Sequence, residues 1–180
     1  MLGKTTEYAI RALVYIHTRN REGKRPGFRE VAQQIDAPVQ FTAKVLQGLA
    51  RADMICSVKG RGGGFFFDES APPLSLFDVI SAIEGEDFFT GCGFGLKGCD
   101  STNPCPMHQE YYPVREEFHR LAKKQTIRSL AEKIHERAWL HIGKHWHAPS
   151  RQLAAPMSRC YRTDIGQKAL KTESSVNSDQ

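Results

Sequence analysis

Ala9, Ile10, Leu13, Val14 and Ile16 recur at the spacing of one helical face, and Thr5-Thr6-Glu7 ahead of them forms a helix opening. The pattern predicts a helix over about residues 5–19. The polar run Arg19-Asn20-Arg21-Glu22-Gly23-Lys24-Arg25-Pro26-Gly27 then breaks it. Phe28, Val31, Ala32 and Ile35 restart the period in a short second helix. Asp36-Ala37-Pro38 ends that helix, because proline disfavours helical backbone at the residue before it. A third helix is predicted over about residues 39–52, with Phe41, Val45, Leu46 and Leu49 on its apolar face. Gln40, Lys44, Gln47 and Arg51 form the opposite, polar stripe.

The period then changes. Ile55-Cys56-Ser57-Val58 alternates as a strand does, Phe65-Phe66-Phe67 makes a second strand, and Lys59-Gly60-Arg61-Gly62-Gly63-Gly64 between them is a cationic hairpin tip whose glycines allow positive φ. Helix, short helix, turn, helix and basic hairpin in that order are the layout of a winged helix-turn-helix module. Ser75-Leu76-Phe77-Asp78 has the spacing of a capping box, and Leu76, Val79, Ile80 and Ile83 line the helix that follows to Glu84-Gly85. Residues 86–108 are rich in glycine, cysteine and proline and form one long irregular segment. Loops of that length inside a domain usually have a function. Val114, Phe118 and Leu121 mark another helix, and Ile127, Leu130, Ile134 and Ala138 mark a last one that Thr126 can cap. A narrow apolar stripe of this kind packs on a partner subunit or back on its own domain. From Ala148 onward the chain is polar, and residues 149–180 are expected to be largely disordered.

Charge sharpens this picture. Residues 1–64 hold 11 basic and 5 acidic side chains, whereas the other 116 residues of the 180 hold 14 and 15. The excess positive charge therefore sits on the predicted winged helix. That placement suits a polyanion such as nucleic acid, although solubility alone also accounts for charge of this size. No apolar run is long enough for a membrane span, and the stretch from Ala9 to Ile16 is interrupted by Arg11 and lacks a cleavage site, so a cytoplasmic location is expected.

The five cysteines include a local trio, Cys92, Cys99 and Cys105, with gaps of six and five residues. An odd total without an export signal argues against a disulfide framework. Three thiolates on flexible spacers can hold a soft metal, an iron–sulfur cluster or a structural zinc. His108, three residues after Cys105, can supply a fourth ligand, or simply cap a helix. Cys56 is expected to be a small buried residue in a strand, and Cys160 incidental. His141, His145 and His147, near Trp139 and Trp146, can bind metal or belong to a frayed helix end.

With these features in place, the chain resembles the IscR/NsrR family of iron–sulfur transcriptional regulators over roughly residues 1–140. Thr6-Glu7-Tyr8-Ala9-Ile10-Arg11-Ala12-Leu13 looks like that family's first helix, and Ser57-Val58-Lys59-Gly60-Arg61-Gly62-Gly63-Gly64-Phe65 looks like its wing. The cysteine loop ending Asn103-Pro104-Cys105-Pro106-Met107-His108 looks like its cluster loop. The resemblance implies a homodimer that reads a pseudo-palindromic double-stranded DNA operator, and a cluster that couples a chemical signal to DNA affinity. It also implies a fourth ligand: the residue matching His108 in a two-iron site, or the one matching Glu7, from the other subunit, in a four-iron site. The first cysteine gap is one residue longer than the commonest family form, and Ala43 stands where some members carry a glutamate facing DNA.

The resulting expectation is a mainly α fold with a small β-hairpin wing, divided into a winged helix-turn-helix DNA-binding domain at 1–85, a cysteine cluster loop at 86–108, dimerisation helices at 109–147 and a tail at 148–180. Gln40 and Lys44 are expected at base edges, Arg51 at a phosphate, and Lys59 and Arg61 in a minor groove. The competing readings are a zinc-stabilised or cluster-free DNA-binding protein, and a redox carrier. No CxxC pair, nucleotide-binding loop or acid–base pair supports an enzyme.

Overall fold

The computed structural model describes residues 2–136. The expected tail, the three histidines from His141 to His147 and Cys160 lie outside these residues. Helix α1 (Lys4–Arg21) is the central element. Ala9, Ala12, Leu13, Val14 and Ile16 are buried within it. Helix α2 (Phe28–Gln34) and helix α3 (Val39–Arg51) cover one side of α1 through Val31, Ile35, Leu46 and Leu49. Tyr15 donates to Glu30 at 2.8 Å, and the Arg11 guanidinium bonds the Ile35 carbonyl oxygen, so polar contacts also hold α2 against α1.

The first three helices stop by one device. After α1 the Lys24 N–H bonds the Arg19 carbonyl and Gly23 N–H bonds Asn20. After α2 the pairs are Ala37 with Ala32 and Asp36 with Gln33. After α3 they are Met54 with Leu49 and Asp53 with Ala50. This is the Schellman arrangement, which satisfies carbonyls left open at a helix end. Asp36 and Asp53 adopt φ of 54° and 55° to make it, a backbone region in which aspartate is tolerated better than most residues. The second helix therefore ends at Gln34, four residues ahead of Pro38, on the left-handed turn at Asp36 and not through the proline.

Strands β1 (Cys56–Val58) and β2 (Gly64–Phe66) pair antiparallel, with Cys56 opposite Phe66 and Val58 opposite Gly64. The hairpin is fastened to α1. Asn20 donates through Nδ2 to the Lys24 and Phe65 carbonyls and accepts the Phe67 N–H at 3.0 Å, while the Phe65 N–H bonds the Pro26 carbonyl. Three helices and a fastened hairpin form a winged helix-turn-helix.

Helix α4 (Leu76–Glu84) begins in a complete capping box: Ser75 Oγ accepts the Asp78 N–H, and the Asp78 carboxylate accepts the Ser75 N–H. A 3-10 turn (Glu86–Phe89) follows, then the irregular loop, helix α5 (His108–Lys124) and helix α6 (Ile127–Glu136). Thr126 caps α6, its Oγ1 accepting the Ser129 N–H while Ser129 Oγ accepts the Thr126 N–H. Ile127 and Ala131 are buried and pack α6 back onto α1. On α5, by contrast, Tyr112, Val114, Phe118 and Leu121 are exposed, Val114 at 61 %. Ile80, Phe89 and Ala122 make a second, smaller core between α4, the 3-10 turn and α5.

His17 sits half-buried on α1, edge-on to Phe67 at 5.6 Å. Burial first, and then the charges of Arg128 and Arg21, push its pKa down from 6.5 to about 4. The folded state thus binds fewer protons at this site than the unfolded chain. The contribution of His17 to stability is complete above about pH 6.5 and is lost as pH falls toward 4, with a slope of at most ~1.4 kcal/mol per pH unit. Urea unfolding midpoints followed from pH 7 to 4 should fall less steeply for His17→Gln than for the native chain. Parallel profiles would show that His17 does not titrate in this window.

Candidate metal centre and nucleic-acid interface

Helix α3 presents two unlike faces. Thr42, Leu46 and Leu49 are buried, while Gln40, Lys44, Gln47 and Arg51 are all exposed along one side. Lys59 and Arg61 are exposed at the hairpin tip. The structure thus leaves each of these polar side chains free to meet a ligand from solution. Side chains of these types can donate to base edges and phosphates. Arg25 lies over the Phe66 ring at 4.4 Å, which brings the loop after α1 close to the wing.

The candidate metal centre is built from the loop and the start of α5. Glu84, the last residue of α4, accepts hydrogen bonds from the Gly3 N–H at 2.8 Å and from the Thr6 hydroxyl. The end of α4 is thereby fixed to the start of α1, and the chain enters the loop from that point through Gly85 and the 3-10 turn. Within the loop the Gly95 N–H returns to the Cys92 carbonyl, and the Asp100 carboxylate takes the Thr102 hydroxyl and the N–H groups of Thr102 and Asn103. These bonds, the Thr102 hydroxyl foremost, hold the Asp100 carboxyl below its ordinary range.

Two such turns bring the free thiols of Cys92, Cys99 and Cys105 together, with all three sulfurs within 4.8 Å of one another. Cys92 and Cys105 Sγ are 3.9 Å apart, and His108 Nδ1 lies 3.3 Å from Cys99 Sγ. The Cys105 N–H points at Cys99 Sγ from 3.4 Å. Backbone N–H groups of Phe94 and Leu96 draw the Cys92 thiol below its usual range. The Cys105 N–H acts in the same sense on Cys99, but partial burial and the neighbouring thiols outweigh it and raise that thiol. Three convergent sulfurs with an imidazole beside one of them are a soft donor set, and fit a thiophilic metal or an iron–sulfur cluster. Glu7 is not part of this group within the chain. It pairs with Lys4 at 2.7 Å on the first turn of α1. Cys56 is buried in β1 and is not one of the free thiols.

Residues that hold the loop are less evident in the sequence than those that form its donor set. Tyr111, on the first turn of α5, lies against Gly93 so closely that a Cβ there would fall 2.3 Å from the Tyr111 ring. Phe94 packs edge-on to the same ring at 5.6 Å. Only glycine fits at position 93, and Tyr111 grips the backbone directly after Cys92. Gly93→Ala should displace the ring and speed tryptic cleavage at the exposed Lys97 severalfold, while the helical circular dichroism stays unchanged. The double variant Gly93→Ala/Tyr111→Ala, which relieves the clash but also removes the grip, should be cleaved at least as fast as Gly93→Ala. An unaltered rate in Gly93→Ala would remove Tyr111 as the element that holds the loop.

Residues 2–133 match a protein-family model described as Rrf2, iron-dependent transcriptional regulator. The chain is similar to a protein named aau3 from Rhizobium meliloti, 28% identical over 132 residues that make up 73% of this chain and 84% of the relative. It is also similar to the HTH-type transcriptional regulator IscR of Yersinia pseudotuberculosis, 22% identical over 147 residues, 82% of this chain and 87% of the relative. Among solved structures, CymR, the global cysteine regulator of B. subtilis, shares the fold with a TM-score of 0.60 at 14% identity, covering 74% of this chain and 97% of that one. The family match spans the winged helix, the cysteine loop, α5 and most of α6, and on that evidence the chain belongs to the Rrf2 family of transcriptional regulators.

Proposed function

We propose that this regulator binds its operator with an affinity set by an iron–sulfur cluster held on Cys92, Cys99 and Cys105, with His108 as the fourth ligand. The family consists of transcriptional regulators and not enzymes, and DNA binding follows from it. The observation that carries the finer reading is the convergence of three free thiols in one loop, with the His108 imidazole at the start of α5 beside one of them. When bound, such a cluster supplies reactivity toward oxidants, nitric oxide or iron shortage. An acidic ligand from a second subunit, Glu7, is the alternative to His108.

The rest of the assignment concerns the chain's own residues. Two copies pair through the exposed apolar stripe of α5, Val114, Phe118 and Leu121. Their α3 helices are then offered to successive major grooves about one DNA turn (~34 Å) apart. Gln40 and Lys44 meet base edges, Arg51 a phosphate, and Lys59 and Arg61 the minor groove. Since residues 86–108 join the DNA-reading half to the pairing helix, any change in how Cys92, Cys99 and Cys105 are held alters the relative placement of the two α3 helices. A coupling of this kind typically amounts to ~1–3 kcal/mol.

The deciding experiment uses protein purified without oxygen, with its visible absorption recorded and iron, sulfide and zinc counted per chain. A brown protein with iron and sulfide in equal amounts is expected, and their number distinguishes two-iron from four-iron ligation. Cys99→Ala should lose the colour and remain folded. A colourless protein carrying one zinc would reduce the loop to a structural clip. For the wing, Lys59→Ala should weaken binding to all DNA alike and lower the slope of log affinity against log salt by about one unit. An unchanged slope would remove Lys59 from the interface.

A further inference from the structure

We infer that Arg115 is a positioning residue for the metal centre, fixing the backbone on which Cys92 is carried and supplying positive charge at its base. This inference rests on the metal-centre reading of the thiol trio. Arg115 lies one turn beyond Tyr111 on α5, and its side chain is only 14% exposed. Its Nη1 donates to two carbonyl oxygens, Thr90 at 2.7 Å and Gly91 at 3.1 Å. These are the last two carbonyls before Cys92. Their own N–H groups are already turned inward, onto the Asp87 carbonyl at 3.2 and 2.7 Å. The peptide groups ahead of Cys92 are thus held on both sides, by the 3-10 turn and by α5.

Charge points the same way. The guanidinium lies over the Tyr112 ring at 5.2 Å, its Nε is buried without a hydrogen bond, and the nearest carboxylate oxygen, on Glu116, is 3.9 Å away. A nearly buried cation whose ion pair is this loose is costly unless negative charge comes close to it. The thiolates of a loaded centre begin one residue past Gly91, whose carbonyl this guanidinium holds. Both bonds are made by one nitrogen, Nη1, at the end of a long side chain, so a single group ties two adjacent carbonyls to α5. Residues that orient a metal's ligands without touching the metal commonly alter its affinity 10- to 100-fold when removed.

The test compares the native full chain with Arg115→Gln and Arg115→Lys, using Co(II) as the probe. Thiolate-to-metal absorption reports Co(II) binding, and tryptic cleavage at Lys97 reports loop anchoring in the metal-free protein. Arg115→Gln is expected to bind Co(II) roughly 10- to 100-fold more weakly, with an altered absorption band and faster cleavage. Arg115→Lys, which keeps the charge and can reach one carbonyl, should recover part of both. Matching urea midpoints separate these effects from loss of folding. Native affinity, band shape and cleavage rate in Arg115→Gln would overturn the inference. Failure of the native chain to bind Co(II) would overturn the metal-centre reading instead. The cleavage rates would then still decide the anchoring role of Arg115, for it if Arg115→Gln is cut faster and against it if not.

Discussion

An α-helix with Ala9, Leu13 and Ile16 fully removed from water has to be enclosed from several directions at once, and that requirement on α1 organises this molecule. Helices α2 and α3 meet it on one side, α4 and α6 on others, and the wing strand β2 closes a further edge. Helix α3 and the hairpin turn their exposed polar and cationic side chains away from α1. The polar stripe of α3 and the cationic hairpin tip are therefore displayed on a common scaffold whose inner faces cannot shift independently. Close packing makes such a scaffold respond to force as a unit.

The loop is held in a different way. It owes little to apolar burial, since Phe94 and Leu96 are exposed, and much to polar contacts made at its two ends. Its entry is fixed through Glu84 to the N-terminus of α1, and its first cysteine is flanked by groups that α5 grips from the side. Its exit runs directly into α5 at His108. The donor set thus stands between a fixed core helix and a helix whose apolar stripe faces outward. Around the sulfurs the loop is held through its backbone groups more than through side-chain packing.

Much of this was legible in the sequence, for physical reasons that can be named. The helical period placed α1, α2 and α3 within two residues of their ends, and alternation together with glycines located the hairpin. The spacing of Ser75 and Asp78 announced the start of α4, because a capping box is a local hydrogen-bond pattern. The three thiols and His108 were close along the chain, so loop closure alone favours their meeting in space. What escaped was whatever depends on distant partners. Asp36 and Asp53 give no signal of a left-handed turn, since aspartate is equally common in helix openings and loops. Phe88 and Phe89 lay in a stretch rich in glycine and cysteine, and their 3-10 turn exists because Phe89 finds Phe77, Phe118 and His119. Tyr111 and Arg115 meet backbone some twenty residues upstream, a match that no short window of sequence contains.

The polar fastening of the loop also governs what the scaffold tolerates. Between Cys92 and Cys99 the chain makes a solvent-exposed excursion, Gly93 apart, that no core side chain leans on. Residues can be added or removed there at the small entropic cost of a longer or shorter loop, without reopening the packing around α1. A protein built this way can have its chemistry retuned by insertion, deletion or exchange within a dozen or so positions while the half that reads DNA keeps its shape.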